Sequence, residues 1–453
     1  MQVTETVATG LKRELSVVIP RGDLDSRFNT RLNNVKDNIQ LKGFRKGKVP
    51  PAHIKKLYGR SIMAEVLQEA LDETSRKALT DRNERPAFQP KIDISEDKDE
   101  IEKVMSGQSD LSYKMSFEIL PPITLTDFSS IKLERETADI DQAEVDKGVN
   151  ELLERGTTFE EQADRVAAEG DQVTIDFIGR IDGEAFEGGA GTDMPVVIGR
   201  GGFIPGFEDG LKGAKAGDKK DISATFPESY GEVKLAGKTA VFETTVKSIA
   251  APKLPAADDE FAKKLGLDNM AGVREVIEGQ IKGQYDQLSR MKLKRQLLDE
   301  LDKRHSFDLP ESLVSNEFDG IWGQVTEGLK QAEKTFESEG KTEESARAEY
   351  RKIAERRVRL GLVIGEVGDK NKIQVTEDEL RGALMNQARR FPGQERMVYE
   401  FYQKNPAALT ELRAPIFEDK VVDHILAQVK PTDKKVSRDE LFKAMAEDDD
   451  VKI

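Results

Sequence analysis

Two short stretches of this chain concentrate the residue types best suited to binding chemistry. The first is Gly202-Phe203-Ile204-Pro205-Gly206-Phe207-Glu208-Asp209-Gly210-Leu211-Lys212-Gly213. Its aromatics Phe203 and Phe207, flanked by turn residues, could line an apolar pocket. Phe177 and Phe242 from alternating runs, and Phe186-Glu187 beside a hairpin, could join them. The plainer reading is a packed core, since aromatics of a small β domain are mostly core. Composition does not separate these two readings. The second stretch is Gly43-Phe44-Arg45-Lys46-Gly47-Lys48-Val49-Pro50, an aromatic and three cations between residues that break a helix. From Lys36 to Arg60 the only acidic residue is Asp37, against eight basic ones. Arg45 could fork onto a phosphate or carboxylate, and Phe44 could anchor in an apolar pocket. The bland alternative is a solvated basic turn.

Other chemistries are excluded or disfavoured. The chain has no cysteine, so thiolate and disulfide chemistry are absent. The histidines, His53, His305 and His424, are far apart in sequence, and no metal or other cofactor is expected. A net charge of −15 argues against general nucleic-acid affinity, so any RNA contact must use a local basic patch. Met1 to Gly10 lack the cationic start and apolar core of a secretory leader, and no run nears the ~18 apolar residues of a membrane span. A soluble, cytoplasmic protein with no membrane partner is expected.

The elements that must position these stretches fall into three regions, as 453 residues suggest at roughly 150 residues per domain. Residues 1–120 read as a small α+β domain, with a strand over Leu11–Ile19, a helix over Asp23–Ile39, a helix over Ser61–Leu79, and strands near Ala87–Ile94 and Leu111–Leu120. Residues 121–162 read as a connector that opens on a Pro-Pro pair and turns helical, contributing to a helical body. Residues 163–250 are rich in glycine and short alternating runs, a compact antiparallel β domain. There Val173–Ile178 and Ala240–Val246 alternate, and Asp182-Gly183 supplies a type I′ turn. Residues 251–453 are dominated by strong helix formers. Pro310 stands where a helix begins, Thr376 to Glu379 form a capping box, and Glu447 to Asp450 look like an acidic tail. The apolar positions Leu297, Leu301, Val314, Phe318, Ile321 and Trp322 predict helix packing, and Met385, Met397 and Tyr399 read as ordinary core positions. The fold class is multidomain α+β, with an elongated all-α C-terminal domain.

The basic stretch, with Phe44-Arg45-Lys46 at its centre, resembles the ribosome-docking signature of the trigger factor family, and the order of regions matches that family along essentially the whole chain. The resemblance implies that Gly43, Phe44, Arg45, Lys46, Gly47, Lys48 and Pro50 dock on the large ribosomal subunit beside the nascent-chain exit, touching a ribosomal protein and ribosomal RNA. It also implies a helical body with two arms that holds unfolded or nascent polypeptides, and a homodimer when free. Roles in export and cell division would follow from the resemblance alone.

The phenylalanine-rich stretch is similar to FKBP-type prolyl isomerases, with a short helix expected among the strands. By that resemblance Phe177, Phe186, Glu187, Phe203, Ile204, Phe207, Tyr230 and Phe242 form the site. Glu187 stands where the family has aspartate, and Met194 where it often has an aromatic. Ile204 would supply the backbone amide that holds the substrate carbonyl, and Phe207 takes the place of a floor tryptophan. These departures bear on the family's macrolide ligands and leave the apolar pocket in place. Isomerisation needs no nucleophile, metal or proton shuttle, because the barrier of about 20 kcal/mol is the loss of amide resonance. The competing readings are a free isomerase with an idle loop and a binding protein with a vestigial isomerase fold.

Overall fold

The computed structural model describes residues 1–39, 44, 49–232 and 234–443. The chain divides into two compact units, Met1–Glu136 with Ser289–Ile453, and Thr137–Leu288. The first unit is therefore discontinuous in sequence.

The first unit opens with strands β1 (Gln2–Thr9) and β2 (Lys12–Ile19), helices α1 (Arg21–Asn38) and α2 (Pro51–Arg82), strand β3 (Lys91–Ile94), helix α3 (Lys98–Met105) and strand β4 (Leu111–Glu118). The strands form one antiparallel sheet in the order β1-β2-β4-β3, with Lys12 facing Glu118 and Ile19 facing Leu111. Alternation in β4 sends Leu111, Tyr113, Met115 and Phe117 inward, where they meet Leu15, Val17, Ile19 and Leu24. The buried Tyr113 hydroxyl lies 2.8 Å from Thr74 Oγ1 and 3.1 Å from Ser75 Oγ, so three buried hydroxyls satisfy one another. Prolines set both helix starts. Pro20 and Pro50 occupy the N-cap positions at φ −61°, and α2 stops at Asn83 in the left-handed region.

Three differences from the sequence reading have plain causes. Helix α2 starts at Pro51 rather than near Ser61, because Pro51 at the first helical position needs no N–H partner. Strand β1 carries no legible alternation because only Val3 among its side chains is even partly covered. Helix α3 is short and buries Val104 alone, too little for a periodic signal.

The rest of this unit is mainly helical. Residues 121–133 run extended apart from one 3-10 turn at Phe128–Ser130, and strand β5 (Glu134–Thr137) follows. Phe128, Ile131 and Leu133 pack into a core with Leu297, Leu301, Ile364, Val422 and Ile425. His305, 3% exposed, ties this segment down: its Nδ1 lies 2.7 Å from the Leu301 carbonyl and its Nε2 accepts the Thr126 N–H at 3.2 Å.

The second unit contains α4 (Gln142–Arg155), β6 (Thr158–Glu161), β7 (Gln172–Ile181), β8 (Glu184–Val197), α5 (Phe207–Leu211), β9 (Lys219–Thr225), β10 (Thr239–Lys253) and α6 (Asp259–Lys264). Among the described residues the order is β6-β10-β7-β8, with β9 also pairing β10, and every pair is antiparallel. Asp182 at φ 52° and Gly183 at φ 87° make the β7–β8 turn as expected. Helix α7 (Met270–Arg304) starts in this unit and ends in the first. Its early residues Val273 and Ile277 pack with Val145, Val149 and Phe261.

The first unit continues with α8 (Glu311–Gln331), α9 (Glu343–Asn371), α10 (Glu377–Ala388), α11 (Glu395–Lys404), α12 (Pro406–Val429), β11 (Thr432–Lys435) and α13 (Arg438–Lys443). Pro310 is the N-cap of α8, and the Thr376–Glu379 capping box forms at the start of α10. Strand β11 pairs with β5. The acidic tail Glu447 to Asp450 lies outside the described residues.

Candidate functional site

The β domain packs four phenylalanine rings against each other around one groove. Phe207, at the start of α5, is 1% exposed and forms the floor. Phe203 stacks on it at 5.1 Å between ring centroids and 19° between planes, while Phe242 of β10 meets it edge-on at 5.0 Å. Phe177 of β7 stands edge-on to Phe207 at 5.8 Å and to Phe242 at 6.0 Å. Edge-to-face pairing of this kind fixes ring positions. Phe186 of β8 extends the wall, edge-on to Phe242 at 6.2 Å and to Phe226 at 5.9 Å. The groove has a volume of about 690 Å³, and Glu187, Met194, Ile204, Tyr230 and Leu235 also line it. Met194 and Tyr230 are exposed at its edge, and Tyr230 meets Phe226 at 4.7 Å. Core and pocket are thus the same cluster: Phe177, Phe207 and Phe242 are buried in the core and also line the groove.

Glycines make the room. A Cβ on Gly179 would stand 2.7 Å from the Phe242 ring and 2.8 Å from that of Phe186. One on Gly189 would meet Phe186 at 2.7 Å, and one on Gly191 would meet Phe177 at 2.6 Å. Each lies on a strand, where glycine is otherwise unfavourable. They are the sequence signal that points to a ring-lined cavity, and the sequence reading did not use them. Phe226 and Leu235 were missed as well, both near the turn that follows β9.

Ile204 precedes the tight turn at Pro205-Gly206, where Gly206 takes φ 89°. Its carbonyl accepts the Phe207 N–H at 3.1 Å, and no acceptor for its own N–H lies among the described residues. The neighbouring carboxylate of Glu208 is 8% exposed and accepts from Gly199 N–H at 2.8 Å, Gly201 N–H at 3.1 Å and Phe203 N–H at 3.1 Å. Burial pushes this carboxyl up, and the backbone donors at Gly201, Phe203, Gly199 and Gly202 more than offset it, leaving it below the usual carboxylate range.

In the first unit, Phe44 is 38% exposed and its ring leans on His53 at 5.5 Å between centroids. Val49, 1% exposed, anchors the chain between α1 and α2 with Phe28, Leu32 and Ile54, and Pro50 caps α2. Gly43, Arg45, Lys46, Gly47 and Lys48 lie outside the described residues. Lys55 and Lys56 are exposed on the first turns of α2, with the Lys55 ammonium 5.4 Å from the centre of the Phe28 ring. Arg60 pairs with Glu102 at 3.1 Å.

The positions read as ordinary core near the late helices are not buried. Met385, Met397 and Tyr399 are exposed, as are Phe391 and Phe401, with Met397 at 66%. Helix α11 has an apolar side but buries none of its residues. Among the described residues no helix is long and apolar enough to cross a membrane.

Comparison with known proteins gives a consistent picture. Residues 1–152 match the family described as bacterial trigger factor protein, 163–247 match FKBP-type peptidyl-prolyl cis-trans isomerase, and 269–427 match the bacterial trigger factor C-terminus. The trigger factor of Brucella abortus (strain S19) is 51% identical over 97% of this chain and 93% of its own length. That of Rhizobium etli (strain CIAT 652) is 50% identical over 99% of this chain and 90% of its own. That of Methylocella silvestris is 51% identical over 98% of this chain and 96% of its own. A solved trigger factor chaperone shares the fold, with a TM-score of 0.57 at 19% identity, over 95% of this chain and 100% of that one. The chain belongs to the trigger factor family of ribosome-associated chaperones that carry an FKBP-type peptidyl-prolyl isomerase domain.

Proposed function

We propose that the phenylalanine-lined groove is the isomerase site and that Phe177, Phe186, Glu187, Phe203, Ile204, Phe207, Tyr230 and Phe242 serve it. The carrying observation is an apolar groove beside the Ile204 backbone N–H, which has no acceptor among the described residues. A proline ring rests on Phe207, with Phe242 and Phe177 as walls and Tyr230 and Glu187 at the rim. The planar amide is more polar than the twisted one, so a groove with little water favours the twisted state. The Ile204 N–H holds the carbonyl of the residue before proline, leaving the X–Pro bond as the element that turns. No proton or electron pair is transferred. In a proline-limited refolding assay, Phe207→Ser slows the catalysed phase by about tenfold or more. An undiminished rate in a folded variant removes this site.

The docking surface is Gly43, Phe44, Arg45, Lys46, Gly47, Lys48 and Pro50, placed against a ribosomal protein and ribosomal RNA of the large subunit near the nascent-chain exit. The exposure of Phe44 beside the buried anchor Val49 supports it. The domains are 1–120 for docking, 121–162 as connector, 163–250 for isomerisation and 251–453 for holding chains. The exposed apolar residues of α10 and α11 suit the last role, since isolated apolar side chains among charges bind unfolded segments weakly and release them. The protein works in the cytoplasm and forms a homodimer when free of the ribosome.

A further inference from the structure

Three backbone N–H groups converge on one carboxylate directly behind the groove. Gly199, Gly201 and Phe203 all donate to Glu208, at 2.8, 3.1 and 3.1 Å. Glu208 follows Phe207 on the five-residue helix α5, so one turn of backbone sends the floor ring into the groove and the carboxylate under the loop. The loop is otherwise loosely specified. Gly199 and Gly201 sit at φ 88° and 69°, conformations glycine holds no more strongly than alternatives, and residues 199–203 contain three glycines. Yet this loop carries the Phe203 ring, stacked on Phe207, and leads straight into the Ile204 amide.

We infer that Glu208 is a positioning residue for isomerisation: its carboxylate clamps residues 199–203 so that the Phe203 ring and the Ile204 N–H face the bound X–Pro segment. This rests on the site reading above and adds to it a group that does not touch substrate. A carboxylate suits the task because two oxygens offer several acceptor directions and no donor. A glutamine of the same shape would turn an NH₂ toward at least one N–H, leaving a buried donor unpaired. Charge-assisted bonds to an ionised acceptor are also stronger than neutral ones, which matters for a loop with so little packing of its own. The shared acceptance of N–H groups outweighs the upward push of burial and agrees with the carboxyl lying below its usual range.

The fold offers an internal control. Asp171 is 0% exposed and accepts from Arg165 Nε and Nη2, each at 2.8 Å, and from Ala168 N–H at 3.0 Å. It is a comparably buried carboxylate in the same β domain, and none of the donors to its side chain belongs to residues 199–204. Loss of fold stability alone should therefore act similarly at both sites, whereas loss of loop geometry should be peculiar to Glu208.

The experiment compares Glu208→Gln, Glu208→Asp, Asp171→Asn and Phe207→Ser in the full chain. Isomerisation of a proline peptide is measured as separate kcat and KM, and hydrogen–deuterium exchange is followed in fragments covering 199–204 and strands β7 and β10. The expected result for Glu208→Gln is a fall in kcat of about tenfold or more, faster exchange over 199–204, and unchanged exchange in both strands. Glu208→Asp, which keeps the charge on a shorter stem, recovers part of the rate, and Asp171→Asn keeps its kcat. Two results overturn the inference: Glu208→Gln retaining kcat within about twofold, or Glu208→Gln and Asp171→Asn losing activity in step with faster exchange throughout the strands. A fully active, folded Phe207→Ser removes instead the site reading itself.

Discussion

At Glu379 the balance of charge and capping can be followed through pH. The carboxylate accepts Lys420 Nζ at 2.8 Å and the Thr376 N–H at 2.8 Å, while the Glu379 N–H reaches back to Thr376 Oγ1 at 3.3 Å. The Lys420 ammonium, with the Thr376 N–H, holds its pKa down to about 2 from an ordinary 4.5. A depressed carboxylate contributes stability that is fully present above its unfolded pKa and lost as pH falls through the folded one. The window is therefore from 4.5 down to about 2. Urea midpoints of the parent should fall across it, and those of Glu379→Gln should fall less; equal slopes would remove Glu379 from the acid response. The same residue-scale logic makes Phe207 doubly consequential, since a fully buried ring cut to alanine costs about 3–5 kcal/mol besides removing the proposed floor. Hence the refolding assay must be read on protein shown to be folded.

Among the elements, tight helix and strand contacts at glycine give two predictions with opposite readouts. Gly179 lies on β7 with the rings of Phe242 and Phe186 within 2.8 Å of a Cβ there. Gly179→Ala forces both rings aside, and overpacking of this kind costs about 1–3 kcal/mol. The expected result is slower isomerisation and a lower melting temperature. Gly368 lies on α9, where a Cβ would stand 2.2 Å from Phe417 Cζ of α12. Gly368→Ala should lower thermal stability by a similar amount while prolyl isomerisation on a short peptide keeps its rate. If both substitutions slow isomerisation equally, the groove is not being perturbed locally.

For the whole molecule, the consequential prediction is separation of two activities. Replacing Phe44, Arg45 and Lys46 with alanine should abolish cosedimentation with ribosomes and leave peptide isomerisation unchanged. Phe207→Ser should do the reverse. Binding by the parent should weaken steeply with added salt, since cations on a phosphate-rich surface act by releasing counterions. Cosedimentation retained by the alanine variant would remove the loop from the docking surface. Loss of both activities in either variant would point to global unfolding instead.

Much of this protein was legible in residue order because the deciding physics is local. The Asp182-Gly183 turn follows from two positive φ angles, the capping box from Thr376 and Glu379 three residues apart, and the start of α8 from Pro310. The run from Gly202 to Gly213 stands out by composition alone. What residue order could not decide depends on chain segments far apart in sequence. Whether Phe177, Phe207 and Phe242 fill a core or face a groove depends on the space left by Gly179, Gly189 and Gly191 on paired strands. The partners of Glu208 and the exposure of Met385, Met397 and Tyr399 depend on what the fold packs against them. Periodicity shows that a helix such as α11 has an apolar side, and only packing shows that none of its residues is fully buried, because burial belongs to the neighbour as much as to the residue.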